Sequence, residues 1–386
     1  MAERQQQTPP DMSQILSGVS DLATKLTSGA HVFTDVRNED VQIGTTPKDE
    51  VWRSDKITLY RYRPTVERRL KEPLLIVFSL VGSYTIVDLQ EDRSLVRNLL
   101  KQGIEVYVID WGHASRGDRW LTMDDYINGY LHEAVEAIRE RDGADRVNVL
   151  GICEGGTFSL CYAALHPDNL QNLILIVTPI DFYAKSPDQP VGHGFINLWS
   201  QNLGPEDVDH LMAAHGNLPG ELMGSIFSSM TPMRTLLKYN LDLLEVATDK
   251  TKLMNFLRME KWIADRPPHP GELAKQWIKD LYQCNKLVAN EFKLGDNLVN
   301  LKNVTMPVLN VFALDDHIVP TAMTRDLGPH IGSEDYTELP LPAGHMGIFV
   351  SGKSQGVLGS SLADWLLKRQ APEKKPAKDS AKTTGA

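Results

Sequence analysis

The stretch Gly151-Ile152-Cys153-Glu154-Gly155-Gly156 decides the fold of this chain, because it sets a potential nucleophile between glycines in a G-x-nucleophile-x-G pattern. Residues 146–150 before it are typical of a short buried strand, and residues 157–165 after it are typical of a helix that is apolar on most sides. A strand, a sharp turn and a helix are the context that a nucleophile elbow requires. Glycines are needed because a side chain would clash where the strand folds back into the helix. The turn is expected to lift the cysteine sulfur above the sheet at a helix N-terminus, where partial positive charge favours a thiolate.

Two structural interpretations of the same stretch stay open at this point. Cysteine is a common small residue of protein cores, and glycine-rich turns between a strand and a helix also bind phosphate groups. A catalytic cysteine needs a base that takes its proton and a group that holds this base. A base and its partner elsewhere in the chain would therefore favour a catalytic cysteine over a core residue or a phosphate-binding turn.

Composition narrows the class of protein. The chain has 386 residues, of which 42% are hydrophobic and 23% charged, and its formal net charge is -10. This length suits one large domain, alone or with an insertion, and the negative charge argues against nucleic-acid binding. The longest apolar runs are too short for a membrane span, and the polar N-terminal sequence MAERQQQTPP lacks the apolar core of a secretory signal. We expect a cytoplasmic enzyme with no membrane span.

Metal and cofactor sites are not expected. The three cysteines, Cys153, Cys161 and Cys284, form neither a disulfide framework nor a metal-binding spacing. No phosphate-binding loop motif and no H-E-x-x-H motif is present. The sequence therefore predicts chemistry that is carried out by side chains, with no metal and no cofactor.

Strands and helices alternate over residues 51–178 and again over residues 302–369. This alternation predicts a doubly wound, mostly parallel α/β sheet with helices on both faces, divided into two parts of one core. Before it, residues 1–50 are a polar lead-in, expected to be partly helical around residues 12–26. The predicted strands are residues 57–62, 74–81, 105–110, 147–150, 173–177, 308–312 and 336–339, and the predicted helices are residues 93–101, 124–141 and a last helix ending near residue 369.

The alternation breaks over residues 179–301, which are mainly helical or irregular and contain no convincing strand. We predict a mainly helical cap there, inserted over the C-terminal edge of the sheet. The tail at residues 370–386 is rich in lysine, alanine and proline and is expected to be disordered. Contact of its lysines with an acidic surface is the alternative to a solvated tail.

The acid of the site is expected after the nucleophile, since the α/β-hydrolase plan has the order nucleophile, acid, histidine. The segment ALDDHIVP at residues 313–320 follows a predicted parallel strand, and open α/β sheets place their sites at such strand ends. We predict Asp316 as the acid in preference to Asp315, because loops of this type tend to read D-x-[IV]-V-P. A helix N-cap is the alternative role for either carboxylate.

The histidine is predicted to be His345. It lies in the segment LPAGHMGI at residues 341–348, where flanking glycines let the loop bring the imidazole towards the sulfur. His317 is the rival, but it lies beside the acid on the same loop. Cys153, Asp316 and His345 thus form the predicted catalytic triad.

The oxyanion hole is predicted from two backbone N–H groups. One belongs to Glu154, directly after the nucleophile. The other is assigned to Val81, which opens the loop after the apolar run at residues 74–81. Backbone donors leave little trace in a sequence, so Val81 is selected by its position alone.

The three segments GICEGG, DHIVP and GHMG resemble the catalytic segments of poly(3-hydroxyalkanoate) synthases. The resemblance covers about residues 60–367, and further segments carry it: DLQEDRS at 88–94, YVIDWG at 107–112, DDYINGY at 124–130 and NFLRMEKWI at 255–263. Since the nucleophile already falls at residue 153, the chain resembles the short catalytic subunit of class III, with class IV as the rival. Residues 185–197 and the basic tail depart from the family pattern.

The resemblance implies that the protein polymerises (R)-3-hydroxyacyl-CoA into a polyester and releases CoA, with the acyl chain held as a thioester on Cys153. Sulfur suits this chemistry, because a thiolate that attacks a thioester forms another thioester and the acyl group keeps its activation. Asp316 would orient His345 or activate the substrate hydroxyl. The resemblance also implies a second subunit of the PhaE type, a homodimer and a cytoplasmic location at polyester granules.

Two other functions stay open. A cysteine-type hydrolase of the same fold, such as a polyester depolymerase or a thioesterase, would release free hydroxy acid in place of polymer. An inactive fold acting as a granule-binding scaffold would lack a member of the triad, whereas all three are present. The sequence sets neither the substrate-binding residues nor the acyl chain length.

Overall fold

The computed structural model describes residues 37–185, 194–230, 246 and 249–370. Its centre is an eight-stranded sheet with the order β1-β2-β6-β3-β7-β8-β11-β12. Strand β2 runs antiparallel to both of its neighbours, and all other neighbours in the sheet are parallel. Its strands are β1 (Lys48–Ser54), β2 (Ile57–Tyr62), β3 (Leu74–Val77), β6 (Val106–Asp110), β7 (Val147–Ile152), β8 (Leu170–Ile176), β11 (Val308–Ala313) and β12 (Tyr336–Leu341). The predicted mostly parallel α/β sheet is confirmed.

Helices flank this sheet, and two short antiparallel ladders accompany it. The ladders pair β4 (Asp88–Gln90) with β5 (Arg93–Ser94) and β9 (Lys293–Leu294) with β10 (Asn297–Leu298). The α-helices are α1 (Leu95–Lys101), α2 (His132–Asp142), α3 (Glu154–Leu165), α4 (Phe195–Gln201), α5 (Pro205–His215), α6 (Gly220–Met230), α7 (Lys250–Ala264), α8 (Gly271–Lys275), α9 (Thr321–Arg325), α10 (Gly347–Val350) and α11 (Gly352–Leu367). Asp125–Leu131 and Gln276–Gln283 are π-helical.

The central strands are mostly apolar because helices cover both faces of the sheet. In β3, Leu75 and Val77 belong to one hydrophobic core, while Leu74 and Ile76 belong to the other. All four side chains are fully buried. The sheet therefore forms a rigid middle layer, and its strand ends provide fixed positions for a site.

The predicted strand at residues 74–81 is too long. Strand β3 ends at Val77, and by residues 80 and 81 the backbone N–H groups bond to side chains and not to a neighbouring strand. The N–H of Leu80 donates to Glu154 Oε2 at 2.9 Å, and the N–H of Val81 donates to Ser79 Oγ at 3.0 Å.

Two predicted helices also differ at their starts. The helix predicted from residue 93 begins at Leu95, because Ser94 caps it by accepting the Arg97 N–H at 3.0 Å. The helix predicted over residues 124–141 has a π-helical first part, and its α-helical part ends at Asp142, before Gly143 with φ 61°. Strand β1 at Lys48–Ser54 lies mainly beyond the predicted lead-in and was not predicted as a strand.

Between β8 and β11 the described chain consists of helices α4 to α8, the π-helix Gln276–Gln283 and the short β9–β10 ladder. The division into core and cap at residues 179 and 301 stays a prediction. The predicted lead-in helix at 12–26 and the tail at 371–386 lie outside the described residues, as does most of the segment 185–197. None of the helices in the described part of the chain is long and apolar enough to cross a membrane.

Candidate active site

Cys153 occupies a strained turn between β7 and α3. Its backbone has φ 55° and ψ -125°, a conformation that costs a residue with a side chain about 1–3 kcal/mol. The Cys153 N–H donates to the Ile176 carbonyl at 2.9 Å, which ties the turn to strand β8. The side chain is partly exposed, so the predicted nucleophile lies at the end of the sheet and is accessible.

The glycines of the elbow are required by contacts on three sides. A Cβ atom on Gly151 would lie 2.5 Å from the Gly156 Cα atom, inside the elbow itself. A Cβ atom on Gly155 would overlap the carbonyl oxygens of Val77 and Phe78 at the end of β3, and one on Gly156 would overlap Thr178 Oγ1. The tight turn is therefore possible only with this glycine pattern, and it fixes Cys153 relative to β3 and β8.

Asp316 and His345 are brought together by the loops that follow β11 and β12. Asp316 Oδ2 lies 2.7 Å from His345 Nδ1, and both residues are buried. Asp316 Oδ1 accepts the N–H groups of Ile318 and Val319, each at 2.9 Å, so the carboxylate has one orientation. The neighbouring Asp315 is exposed, which explains why Asp316 and not Asp315 holds the imidazole.

The electrostatics of His345 favour its protonated form. Burial alone would lower the pKa of His345, but the Asp316 carboxylate and the Cys153 sulfur outweigh burial and raise it to about 10. Asp316 also forms a hydrogen bond with the imidazole. The Asp316 carboxylate thus stabilises the imidazolium that His345 becomes when it takes up a proton.

The two predicted oxyanion donors have different surroundings. Glu154 is the first residue of α3, and the first N–H groups of a helix have no partner within it. The Val81 N–H, in contrast, donates to Ser79 Oγ at 3.0 Å. We call residues 79–82 the oxyanion loop, because they face the elbow from the end of β3. In the structure the second predicted donor already has an acceptor, so it would have to share its hydrogen or exchange it to hold an oxyanion.

The Glu154 side chain is a feature that the sequence analysis missed. Its carboxylate is 1% exposed, and Oε2 accepts hydrogen bonds from Ser79 Oγ at 3.0 Å and from the Leu80 N–H at 2.9 Å. His269, also buried, lies with Nε2 at 3.3 Å from the same oxygen. A charged residue directly after the nucleophile was the available signal, because a carboxylate that is buried there requires partners.

A largely apolar cavity of about 260 Å³ opens above the elbow. Cys153 and His345 line it from the core, so the predicted proton donor and the predicted proton acceptor both face this cavity. From the segment between β8 and β11, its lining includes Ile226, Phe227, Met259, Trp262, Trp277 and Tyr282. The cavity suits an apolar acyl group next to the sulfur.

Clustered metal ligands are not part of this site. Within residues 37–185, 194–230, 246 and 249–370, no three histidine, cysteine, aspartate or glutamate side chains gather so that they could hold a metal ion.

Two family models match the chain. The model described as the alpha/beta hydrolase fold matches residues 72–351. The model described as the poly-beta-hydroxybutyrate polymerase (PhaC) N-terminus matches residues 6–99. The hydrolase-fold model spans the elbow and both loops that carry Asp316 and His345.

Curated relatives match over nearly their whole length. The poly(3-hydroxyalkanoate) polymerase subunit PhaC of Synechocystis sp. is 46% identical over 91% of this chain and 92% of its own. The protein of the same name from Allochromatium vinosum is 46% identical over 86% of this chain and 91% of its own. Among solved structures, a candidate lipase from Sulfolobus solfataricus has a TM-score of 0.50 and 16% identity, covering 86% of this chain and 98% of its own, and it supports the fold alone.

Proposed function

Because the chain belongs to the family of the poly(3-hydroxyalkanoate) polymerase subunit PhaC, as a short catalytic subunit of the class III type, we propose that it transfers (R)-3-hydroxyacyl groups from CoA into a polyester. The observation that carries the proposal is the buried His345–Asp316 pair beside a cysteine at the nucleophile elbow. A sulfur nucleophile keeps the acyl group activated between transfers, as polymerisation requires.

In the first step, the Cys153 sulfur attacks the carbonyl carbon of a hydroxyacyl-CoA thioester. His345 takes the thiol proton, a carbon–sulfur bond to Cys153 forms, and the bond to the CoA sulfur breaks. His345 then returns its proton to the departing CoA thiolate, so the step releases one CoA and leaves an acylated cysteine. The negative charge that develops on the carbonyl oxygen would be held by the Glu154 N–H and by a donor of the oxyanion loop.

In the second step, the 3-hydroxyl of another hydroxyacyl unit attacks the thioester on Cys153. The hydroxyl proton passes to His345, an ester bond forms, and the bond between the acyl carbon and the Cys153 sulfur breaks. Repetition of the two steps lengthens the polyester. The sequence left two roles open for Asp316, and the contacts of its carboxylate favour orientation of His345: Oδ1 is held by two backbone N–H groups and Oδ2 by the imidazole.

The apolar cavity supports this substrate class. Its walls from α6 and α7 can accommodate a hydrocarbon chain next to the sulfur, and apolar burial would contribute to binding. We further propose, from the family resemblance, a second subunit of the PhaE type, a homodimer and action at the surface of cytoplasmic polyester granules.

The proposed function is tested by measuring which products form from hydroxybutyryl-CoA. Cys153→Ala should abolish CoA release and polymer formation, while Cys284→Ala, which changes an exposed cysteine, should retain both. Accumulation of free hydroxy acid in place of polymer would identify a depolymerase or thioesterase. Turnover by Cys153→Ala would overturn the mechanism, and an inert wild-type protein that binds granules would favour the scaffold alternative.

A further inference from the structure

A buried contact joins the nucleophile elbow to the segment between β8 and β11. Nε2 of His269 lies 3.3 Å from Glu154 Oε2, and the two side chains are 2% and 1% exposed. An ionised carboxylate only accepts hydrogen bonds, so His269 has to donate through Nε2 to form this one. The two residues are 115 positions apart in the chain, and the contact is therefore made by the tertiary fold.

We propose that His269 is a positioning residue, which acts through Glu154 to hold the oxyanion loop in the geometry needed for acyl transfer. The inference rests on the proposed function, because it assigns a role within the acylation step. It concerns the Glu154 side chain, whereas the predicted oxyanion donor is the Glu154 backbone N–H.

The contacts form a chain from His269 to the predicted donor. Glu154 Oε2 receives His269, the Ser79 hydroxyl and the Leu80 N–H on one oxygen. Ser79 Oγ in turn accepts the Val81 N–H at 3.0 Å. The position of Val81 therefore depends on Ser79, and the position of Ser79 depends on the orientation of the Glu154 carboxylate.

The Glu154 carboxylate has few other contacts that could compensate for the loss of its hydrogen bond with His269. Its second oxygen, Oε1, is buried and makes no hydrogen bond with the described residues. A buried carboxylate that loses one of its donors has to find another partner, because an unsatisfied charge is costly in a protein interior. Loss of His269 should therefore turn the Glu154 side chain and shift the oxyanion loop with it.

His269 itself is fixed from the other side. It exchanges two backbone hydrogen bonds with Leu218, at 2.9 and 3.0 Å, in an isolated antiparallel bridge. The indole N–H of Trp262 donates to the Ser83 carbonyl at 2.7 Å, just beyond the oxyanion loop. The oxyanion loop is therefore held at both ends by residues between β8 and β11. Acyl transfer should require that those residues are packed against the core.

The experiment separates acylation of Cys153 from its alkylation. Acylation by p-nitrophenyl butyrate forms an oxyanion, whereas alkylation by iodoacetamide needs only the thiolate. His269→Ala should slow single-turnover acylation about 10- to 100-fold at saturating ester, with little change in the half-saturating concentration. The rate of Cys153 alkylation, followed on its peptide by mass spectrometry, should stay at the wild-type value.

Two further variants test the donor. His269→Gln, whose amide also donates, should recover most of the acylation rate. His269→Asn preserves polarity but is too short to reach Glu154; it should behave like His269→Ala and replaces that variant if it does not fold.

Gln276→Ala is the matched control. It removes a different contact of the same region, the 2.8 Å hydrogen bond from the Met123 N–H to Gln276 Oε1, away from the elbow. This variant should acylate at the wild-type rate. The inference is overturned if loss of His269 leaves acylation unchanged, or if it slows acylation and alkylation equally. A wild-type protein that is acylated by the ester but makes no polymer would refute the proposed function. The role of His269 would still be tested in that case, by the ratio of the acylation rate to the alkylation rate in the wild type and in the His269 variants.

Discussion

Asp316 holds His345 with one carboxylate oxygen and uses the other for the backbone. Oδ2 lies 2.7 Å from Nδ1 of the imidazole, while Oδ1 accepts the N–H groups of Ile318 and Val319. Both oxygens therefore accept hydrogen bonds, each from a different set of groups, so the two positions would not be equivalent for an amide in place of the carboxylate. This arrangement makes the effect of a single atom replacement predictable.

Asp316→Asn should reverse the tautomer of His345. The two backbone N–H groups require the amide oxygen, so the NH₂ group would face Nδ1 and drive the imidazole proton to Nε2. The imidazole could then no longer accept the Cys153 proton, and the rate should fall about 10³- to 10⁴-fold. The measurement is the pre-steady-state release of the first CoA from hydroxybutyryl-CoA.

Asp315→Asn is the matched control, because Asp315 is exposed beside the same loop, and its rate should stay normal. The half-reaction also separates the two roles considered for Asp316. A normal first CoA release with failed elongation would show that Asp316 activates the substrate hydroxyl and does not serve to orient His345.

The pKa of His345 should respond to both of its anionic neighbours. It is raised to about 10 against the opposing effect of burial, first by Asp316 and then by Cys153. Cys153→Ala should therefore lower the pKa of His345, and Asp316→Asn should lower it further. Titration of ¹⁵N-labelled histidine by NMR measures this, and an unchanged pKa of His345 in Cys153→Ala would contradict an electrostatic interaction between His345 and the Cys153 sulfur.

The same shift has a consequence for stability. Since the folded pKa of His345 lies above the ordinary value of 6.5, its contribution to the free energy of unfolding is fully present below about pH 6.5. It is lost as the pH rises towards 10. The difference in free energy of unfolding between the wild type and His345→Gln, measured by urea denaturation, should therefore shrink over this range.

The elbow glycines should be sensitive to a single methyl group. Gly156→Ala places a Cβ atom onto Thr178 Oγ1 and should lower the free energy of unfolding by about 1–3 kcal/mol. Gly356→Ala is the control, because a Cβ atom there meets nothing within 4 Å in helix α11. That variant should be stabilised by roughly 0.5–1 kcal/mol. Urea denaturation of both variants checks the pair, and equal stability would contradict the close contact.

The cavity wall should select acyl chains by length. Ile226 lines the cavity, so Ile226→Trp should reduce its volume and lower kcat/KM for hydroxyhexanoyl-CoA more than for hydroxybutyryl-CoA. Ser225→Trp introduces the same side chain at an exposed position of the same helix and should leave the ratio of the two values unchanged. Equal losses for both substrates in Ile226→Trp would show that the acyl chain does not occupy this side of the cavity.

The core of the fold was predictable because its signals are local. Fully buried parallel strands such as β3 and β7 are apolar at all or nearly all of their positions, and the elbow has its own glycine pattern. The predicted strand at residues 74–81 includes Leu80 and Val81, whose backbone N–H groups bond to Glu154 and Ser79, and hydrophobicity does not reveal such bonds.

The choice of Asp316 over Asp315 followed from the loop pattern, and the structure adds the physical basis, which is burial of Asp316 alone. The contact between Glu154 and His269 could not be predicted. It depends on how a mainly helical segment folds back onto the elbow, and neither residue carries a local signal for the other.

The strand order of the sheet also determines when the site can exist. Strand β8 pairs with β11, for example through Leu173 and Val308, although the whole segment of residues 177–307 lies between the two strands in the chain. Long-range parallel pairing is slow, because the entropy of closing the intervening chain has to be offset first. During synthesis, Cys153 emerges well before β11 and Asp316, because both lie far downstream of it in the chain. A nascent chain has the proposed nucleophile but not yet the proposed base, so the proposed acylation of Cys153 cannot begin until the last two strands have joined the sheet.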